Sequence, residues 1–146
     1  MPGFEVFGEE EKQQALEVFD TGVLFRYEFG PQREGVYKVK EFEESFAIYT
    51  GAAHAQAVTS GTAALKVGLA ALGVGAGDEV ITQGFTFVAT WEAILDTGAL
   101  PVFTEVDHTL NMDPADLEKK ITEKTAAIVP VHMLGAQARI EEIKAI

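Results

Sequence analysis

Apolar residues in the first third of the chain recur with the period of amphipathic helices. A first helix is predicted from about Glu9, because acidic residues favour a helix N-terminus and Leu16 and Phe19 then lie three apart on one face. Gly22 is its predicted end. A second helix is predicted to end at Gly51. Its apolar positions have the spacing of one buried helical face and are Val39, Phe42, Phe46 and Tyr49.

Residues 23–35, between these two helices, are predicted to form a loop, because they carry two glycines, a proline and mixed charges. Three aromatic residues in this segment, Phe25, Tyr27 and Phe29, are unusual for a plain linker. We interpret them as anchors that hold the loop to the body of the protein. The alternative is that they line the mouth of a ligand site or a subunit interface.

From residue 54 onward, short apolar strands alternate with helices. The predicted strands are 54–58, 79–82, 101–106 and 126–131. The predicted helices run from the Ser60 turn to about Leu72, over 87–97, from the Asp113-Pro114 start to about Ile121, and from Gln137. The last strand is apolar throughout, as expected of a strand covered on both faces. This alternation predicts an α/β fold with a mostly parallel sheet flanked by helices.

The printed sequence stops at Ile146 within a helical pattern that has no glycine, proline or polar cap. A terminal carboxylate there would lie at the negative end of the helix dipole, which is unfavourable. We therefore expect the chain to be a piece of something longer, with a frayed natural terminus as the alternative. We divide it into an N-terminal helix and loop, residues 1–35, and an incomplete domain over residues 36–146.

Charge and composition narrow the classes of partner. The 146 residues carry 23 acidic and 11 basic side chains, a formal net charge of −12, which disfavours nucleic acids and anionic membranes. The sequence has no cysteine, so it offers no disulfide and no thiolate metal ligand. Because we find no secretory pattern and no apolar run of membrane length, we expect a cytoplasmic protein.

The strongest local candidate for a binding site is the turn Ser60-Gly61-Thr62, between a predicted strand and a helix rich in small residues. Free backbone N–H groups and the helix dipole prepare such a turn to hold a phosphate, and the two hydroxyls add donors. In open α/β sheets ligands bind at the carboxyl ends of the strands, where this turn is predicted to lie. The alternative is an ordinary helix start, because the turn matches neither the Walker loop nor the dinucleotide fingerprint.

A second candidate follows the strand at 79–82. An aromatic side chain between Gly84 and Trp91 is a candidate for a flat stacking wall, but the residues alone favour core packing of Phe85 and Phe87. His132 ends the last apolar strand, so it is placed at the same edge of the sheet. No pair of histidines has metal-ligand spacing, so no metal site is expected. No nucleophile and base can be paired from spacing either.

Taken together, five segments resemble the DegT-type (DegT/StrS) sugar aminotransferase family in order and spacing. They are 57–65 (AVTSGTAAL), 77–82 (GDEVIT), 86–90 (TFVAT), 98–103 (GALPVF) and 124–132 (KTAAIVPVH). The resemblance runs from about residue 41 to the end, and residues 9–19 and 42–43 are also similar to the family's N-terminal part. Each segment is a weak signal alone, but the set is specific.

The resemblance implies a fold type I enzyme that uses pyridoxal 5′-phosphate (PLP), with residues 36–146 as an incomplete PLP-binding large domain. It implies that Gly61 and Thr62, with Ser60 nearby, contact the cofactor phosphate and that Phe87 stacks on the pyridine ring. Family members transfer an amino group from glutamate or glutamine to a keto-sugar, usually one linked to a nucleotide. They are usually homodimers with shared sites, so residues 23–35 are expected to serve the neighbouring subunit.

Three other interpretations stay open. The first is a PLP-dependent sugar dehydratase of the same family. The second is a catalytically inactive remnant that binds a ligand or a partner subunit. The third is a nucleotide-binding α/β domain unrelated to PLP.

The sequence departs from the family pattern at Gln83-Gly84, where many members have proline and serine.

The main departure concerns the catalytic lysine. The resemblance places the family's Schiff-base lysine well downstream, after an Asp-Ala motif that supports the pyridine nitrogen, and the 146 residues contain neither segment. None of the lysines present, Lys66 included, lies in the expected context. No residue of this chain is therefore assigned a catalytic role.

We predict that the purified 146-residue chain alone shows no transaminase activity, because it has no lysine in the position to hold PLP covalently and no acid to support the ring nitrogen. The measurement is amino-sugar formation with glutamate or glutamine, PLP and a nucleotide-linked keto-sugar. Turnover above that of free PLP would contradict the prediction.

Overall fold

The protein is described here by a computed structural model that covers residues 3–146. Contacts within the chain separate two compact units, a first one up to Ala57 and a second one over Val58–Ile146. The boundary lies after the second long helix, whereas the division expected from the sequence, between residues 35 and 36, lies before it.

The first unit consists of helices and loops. Its helices are α1 (Glu9–Thr21), α2 (Gly30–Arg33) and α3 (Lys38–Thr50). Gly22 and Gly51 end α1 and α3 in the left-handed conformation, with φ of 67° and 70°, which glycine adopts without steric cost. The predicted start and end of the first helix and the predicted end of the second are thus confirmed. The predicted loop contains one helical turn, α2, that the sequence pattern did not indicate.

The predicted buried face of α3 is wrong. Its four apolar positions are all exposed, from 46% at Val39 to 88% at Tyr49, and Ala47 is the buried residue of the helix. Within the described part of the first unit, Arg33 and Ala47 are the only buried residues. Two helices and a short turn offer too little surface to enclose a core, so the spacing of apolar residues reports a face that nothing in the unit covers.

A parallel sheet forms the centre of the second unit, as predicted. Its strands are β1 (Glu79–Gln83), β2 (Leu100–Thr104) and β3 (Thr125–Val129), in the order β2-β1-β3. Ile81 of the middle strand lies opposite Val102 of β2 and Ile128 of β3. The last four residues of β1 are buried. None of the residues of β3 is fully buried within the described chain, so the prediction of two covered faces is wrong for that strand.

Helices cover both faces of this sheet. They are α4 (Gly61–Ala71), α5 (Ala89–Asp96), α6 (Pro114–Lys120) and α7 (Ile140–Ala145). Because side chains alternate along a strand, Val80 belongs to a core with α4 and α5, and Ile81 belongs to a second core with α6 and α7. Leu69 is the buried residue of α4, so this helix packs on one side.

Two local predictions need correction. Residues 54–58 do not form a strand; the Ala57 N–H donates instead to the Glu43 carboxylate at 2.6 Å. The last helix begins at Ile140 and follows a short 3₁₀ turn, Met133–Gly135, that was not predicted. Within residues 3–146 no helix has the length and apolar character needed to cross a membrane.

Candidate functional site

The chain directs the starts of α4 and α5 to the carboxyl edge of the sheet. Residues 72–78 connect the end of α4 to the start of β1, and residues 97–99 connect the end of α5 to the start of β2. Both helices therefore run back along the sheet, against the direction of the strands. Eleven helical residues and five strand residues both span about 16 Å, so a helix that ends at one edge begins near the other.

The turn before α4 leaves two backbone donors free. Ser60 has extended backbone, and its Oγ accepts a hydrogen bond from the Ala63 N–H at 3.1 Å. The Ser60 carbonyl accepts from the Ala64 N–H at 3.0 Å. The N–H groups of Gly61 and Thr62 have no partner within the described chain, as expected for the first positions of a helix. These two donors and the positive end of the helix dipole can hold an anion.

The surroundings of this turn leave room for a ligand. A Cβ built on Gly61 has no neighbouring atom within 4 Å, and Ser60 and Gly61 are exposed while Thr62 is half-buried. Because the Ser60 hydroxyl accepts from Ala63, its own proton remains available to a ligand oxygen. The turn is therefore a helix start that also keeps three donors, the two N–H groups and the Ser60 hydroxyl, for an anion.

Phe87 is an exposed ring at the same edge. It precedes α5, which begins two residues later than the predicted position, and 75% of the residue is exposed. Phe85 is 48% exposed, so core packing of the two phenylalanines does not occur in this structure. The Thr90 N–H donates to the Phe87 carbonyl at 3.0 Å, which fixes the backbone beneath the ring. Its role in stacking stays a prediction.

Gln83, the last residue of β1, is fully buried and holds the edge together. Its Nε2 donates to the carbonyls of Phe85 and Leu110, both at 3.0 Å. Its Oε1 accepts from the N–H groups of Met112 at 3.2 Å and Val131 at 3.1 Å. Both amide hydrogens and two oxygen lone pairs are used. One side chain thus joins β1 to the segments that follow all three strands.

Asn111, in the segment that follows β2, is a second buried amide whose side chain hydrogen-bonds to backbone groups. It is buried, its Oδ1 accepts from the Met133 N–H at 2.8 Å, and its Nδ2 donates to the Ala136 carbonyl at 3.2 Å. His132 lies between these contacts and is exposed, with Nδ1 accepting from the Ala138 N–H at 3.0 Å. A neutral ring that accepts at Nδ1 carries its proton on Nε2, the nitrogen left for solvent or a ligand.

Sequence reasoning missed the two buried amides, Gln83 and Asn111. The available signal was an amide side chain at or just beyond the end of an apolar strand, where a buried polar group needs several partners. Lys66, which lies on α4, forms an ion pair with Asp96 of α5. No group of three potential metal-ligating side chains occurs within residues 3–146.

Trp91 provides a reporter close to the candidate site. It lies on α5 four residues after Phe87, and its ring packs edge-on against Phe103 with centroids 5.7 Å apart. Its Nε1 is buried without a hydrogen-bond partner in the described chain. Because it is the only tryptophan of the sequence, its fluorescence reports on this region alone.

Comparison with known families gives a match to almost the whole chain. The model of the DegT/DnrJ/EryC1/StrS aminotransferase family matches residues 7–146. The spore coat polysaccharide biosynthesis protein SpsC of Bacillus subtilis (strain 168) is 45% identical over 142 residues, which are 97% of this chain and 34% of that protein. The chain thus spans about a third of the length of this relative.

Two further relatives have names that state a reaction. L-glutamine:2-deoxy-scyllo-inosose aminotransferase of Streptomyces paromomycinus is 42% identical over 118 residues, 80% of this chain and 28% of that enzyme. UDP-2-acetamido-2-deoxy-3-oxo-D-glucuronate aminotransferase of Pseudomonas aeruginosa is 44% identical over 122 residues, 83% of this chain and 32% of that enzyme.

Solved structures agree in fold. 3-Amino-5-hydroxybenzoic acid (AHBA) synthase superposes with a TM-score of 0.85 at 36% identity, covering 95% of this chain and 35% of that chain. NtdA from Bacillus subtilis, solved with bound cofactor PMP, superposes with a TM-score of 0.80 at 29% identity, covering 95% of this chain and 31% of that chain.

Replacing Gln83 by leucine is expected to destabilise the second unit by at least about 3 kcal/mol, because four backbone groups lose their partner and each buried unpaired group costs about 1–3 kcal/mol. Gln83→Glu is expected to be destabilising too, since its second carboxylate oxygen would face the carbonyls of Phe85 and Leu110 in place of the donating amide. Urea unfolding followed by Trp91 fluorescence measures both.

The matched control is Gln137→Leu, at an exposed glutamine of the same unit, for which we expect a change within about 0.5 kcal/mol. Equal losses at positions 83 and 137 would contradict the role given to the Gln83 amide.

Proposed function

Because the chain belongs to the DegT/DnrJ/EryC1/StrS aminotransferase family, we propose that it supplies the phosphate-binding turn and the ring-stacking wall of a PLP-dependent sugar aminotransferase. Its parallel sheet with helices on both faces is part of the large domain of fold type I PLP enzymes. The observation that carries the proposal is the pair of free N–H groups at Gly61 and Thr62, placed at the same sheet edge as the exposed ring of Phe87.

The Ser60-Gly61-Thr62 turn fits the phosphate of PLP. A phosphate dianion needs several donors, and the turn offers two N–H groups and the Ser60 hydroxyl at the positive end of α4. The open space at Gly61 lets the backbone approach the phosphate oxygens. In a chain with net charge −12, such local dipoles are what makes an anion site possible.

Phe87 fits the pyridine ring of PLP. An exposed aromatic side chain on a hydrogen-bonded backbone offers a flat surface at little entropic cost, and ring stacking contributes about 0.5–1.5 kcal/mol beyond burial. PLP, when bound, supplies an electron sink for the reaction, and the chain's own part is to orient the ring and hold the phosphate. Lys66 is not proposed as the residue that binds PLP covalently, since it is paired with Asp96.

For the substrates, we propose a nucleotide-linked keto-sugar as amino acceptor and glutamate or glutamine as donor. The names of the relatives support this: one acts on a UDP-linked oxo-sugar derivative and one takes L-glutamine. A cytoplasmic homodimer is the proposed working form. The exposed apolar face of α3 supports a dimer, because contiguous exposed apolar side chains are typical of surfaces that bind another protein.

Binding of the cofactor is tested with pyridoxine 5′-phosphate, which has the ring and phosphate of PLP but no aldehyde and so cannot react with surface lysines. We expect saturable quenching of Trp91 fluorescence. Phe87→Ala should weaken binding about 2–10-fold through lost stacking. Gly61→Val should weaken it more than about tenfold, since the new side chain occupies the ligand's space, and removing the phosphate from the probe should do the same.

Each variant has a matched control in the chain. Phe85→Ala removes a neighbouring exposed ring, and Gly68→Val adds the same side chain to the same helix at a position that is equally open. Both controls should bind the probe like the natural chain. Absence of saturable quenching, or equal effects of variant and control, would refute the proposed cofactor site.

Amino transfer is tested in a hybrid enzyme in which this chain replaces the matched region of the P. aeruginosa aminotransferase. We expect the hybrid to aminate that enzyme's oxo-sugar substrate with glutamate or glutamine, and Phe87→Ala to lower kcat/KM more than Phe85→Ala. A folded hybrid that binds PLP and forms no amino sugar would contradict the proposed reaction while leaving the cofactor site intact.

A further inference from the structure

The first unit contains a cavity of about 680 Å³ that the proposed function does not use. It lies between the end of α1, the loop with α2, and the start of α3. Its aromatic lining consists of Phe25, Tyr27 and Tyr37, and Arg33 contributes a charged group. The volume is within the range of small-molecule sites, which are mostly apolar with a few polar groups at fixed positions.

Arg33 is the unusual residue of this cavity. It is 94% buried, and within residues 3–146 no carboxylate lies within ion-pair distance of its guanidinium. Its Nε donates to the Glu28 carbonyl at 2.9 Å and its Nη2 to the Tyr27 carbonyl at 3.4 Å. The guanidinium lies over the Tyr37 ring, 5.1 Å from the centroid. Its Nη1 makes no hydrogen bond to the described chain, so three of the five N–H donors remain unused, two of them on Nη1.

A buried guanidinium without a counter-charge is costly, because carbonyls and an aromatic face only partly replace its hydration. The other strong cation of the cavity, Arg26, is already neutralised by Glu43. That ion pair, together with the Ala57 N–H, holds the pKa of Glu43 below its usual range, so the pair stays charged and closed. Arg33 is left as the cation whose partner is missing.

The charges around the cavity run against those of the whole chain. Four of the 11 basic residues line it, Arg26, Arg33, Lys38 and Lys40, against two of the 23 acidic residues, Glu28 and Glu43. Lys38 pairs with Glu17 at 2.5 Å, and Lys40 lies 3.7 Å from Glu44 with its side chain 70% exposed. Since Arg26, Lys38 and Lys40 each have a carboxylate partner, Arg33 is the basic residue of the lining whose charge is not compensated.

The loop that carries Arg33 is held in a demanding conformation. Glu28, Phe29 and Glu34 all have positive φ, between 51° and 60°, which residues other than glycine rarely adopt. The hydrogen bonds from Arg33 to the carbonyls of Tyr27 and Glu28 hold this conformation. The guanidinium is therefore fixed before any ligand arrives, which reduces the cost of binding.

We propose that this cavity is a binding site for a small organic oxyanion, a carboxylate or a phosphate ester, with the free Nη1 of Arg33 as its charged anchor. A guanidinium presents its donors in one plane and matches two oxygens of such an anion. The rings of Phe25, Tyr27 and Tyr37 receive the apolar body of the ligand, and Lys40 adds charge at the rim. The inference uses none of the residues Ser60, Gly61, Thr62 and Phe87 of the proposed cofactor site. Arg33 belongs to the segment 23–35, which the family resemblance assigns to the neighbouring subunit's site.

The test is an NMR titration of the ¹⁵N-labelled 146-residue chain, which follows the Nε–H signal of Arg33 and the amides of residues 24–43. The two probes are inorganic phosphate and succinate, added at constant ionic strength against chloride. We expect saturation at or below about 10 mM for at least one probe, and which probe binds distinguishes a phosphate ester from a carboxylate as ligand. Amide shifts at Gly61 and Thr62 report separately on the cofactor site.

Arg33→Gln should weaken binding at least about tenfold, since it removes the charge and the planar donors. Lys40→Gln should weaken it about two- to threefold while leaving the loop contacts of Arg33 in place. The matched control is Arg139→Gln, an exposed arginine of the second unit that pairs with Asp107; it should leave binding unchanged.

The proposal is overturned if the chemical shifts change linearly with the concentration of both probes, without saturation. It is also overturned if the Arg33→Gln variant binds the probe as tightly as the natural chain. Arg33→Gln could unfold the first unit, which would be seen as a loss of chemical-shift dispersion of the α1 and α3 amides. In that case the Lys40→Gln variant tests the proposal. Natural affinity in that variant then overturns the proposal, and the expected loss supports it.

Discussion

The middle strand β1 is buried over its last four residues, so every polar group there must find a partner inside the protein. This constraint is most severe at Gln83, where the strand ends and the loops of the candidate site begin. The side chain meets it with four hydrogen bonds that reach the segments following all three strands. The position of the exposed Phe87 loop therefore depends on one buried amide, which acts as a structural support and not as a ligand contact.

Much of the fold was predictable because its signals are local. Gly22 and Gly51 end helices in the left-handed conformation that other residues avoid, and Asp113 caps α6 by accepting from the Ala115 N–H at 3.0 Å. Alternating strands and helices require long crossovers, which led directly to a parallel sheet. The Ser60 turn was also predictable, since a free helix start is a property of the backbone itself.

The remainder depends on surfaces and partners that one sequence does not specify. The spacing of apolar residues on α3 identified a face but not what covers it, and Phe46 is 47% exposed here. The segment 54–58 has the residues of a strand but no neighbour to pair with. Gln83 could not be recognised as the organising residue, because its four partners are far apart in sequence. Arg33 was missed for the same reason: its importance follows from burial and not from a motif.

Because α4 and α5 both begin at the carboxyl edge of the sheet, an anion is repelled by the chain from far away but attracted close to these helix starts. At a distance, an anionic ligand meets the repulsion of a chain with twelve excess negative charges. Within about 8 Å, the Debye length in physiological salt, attraction by the N–H groups of Gly61 and Thr62 outweighs this repulsion. Moderate salt therefore weakens the long-range repulsion of an anion more than its short-range attraction to these N–H groups. Capture of a phosphate-bearing molecule becomes faster as ionic strength rises from low values, the reverse of what steering by a basic protein produces.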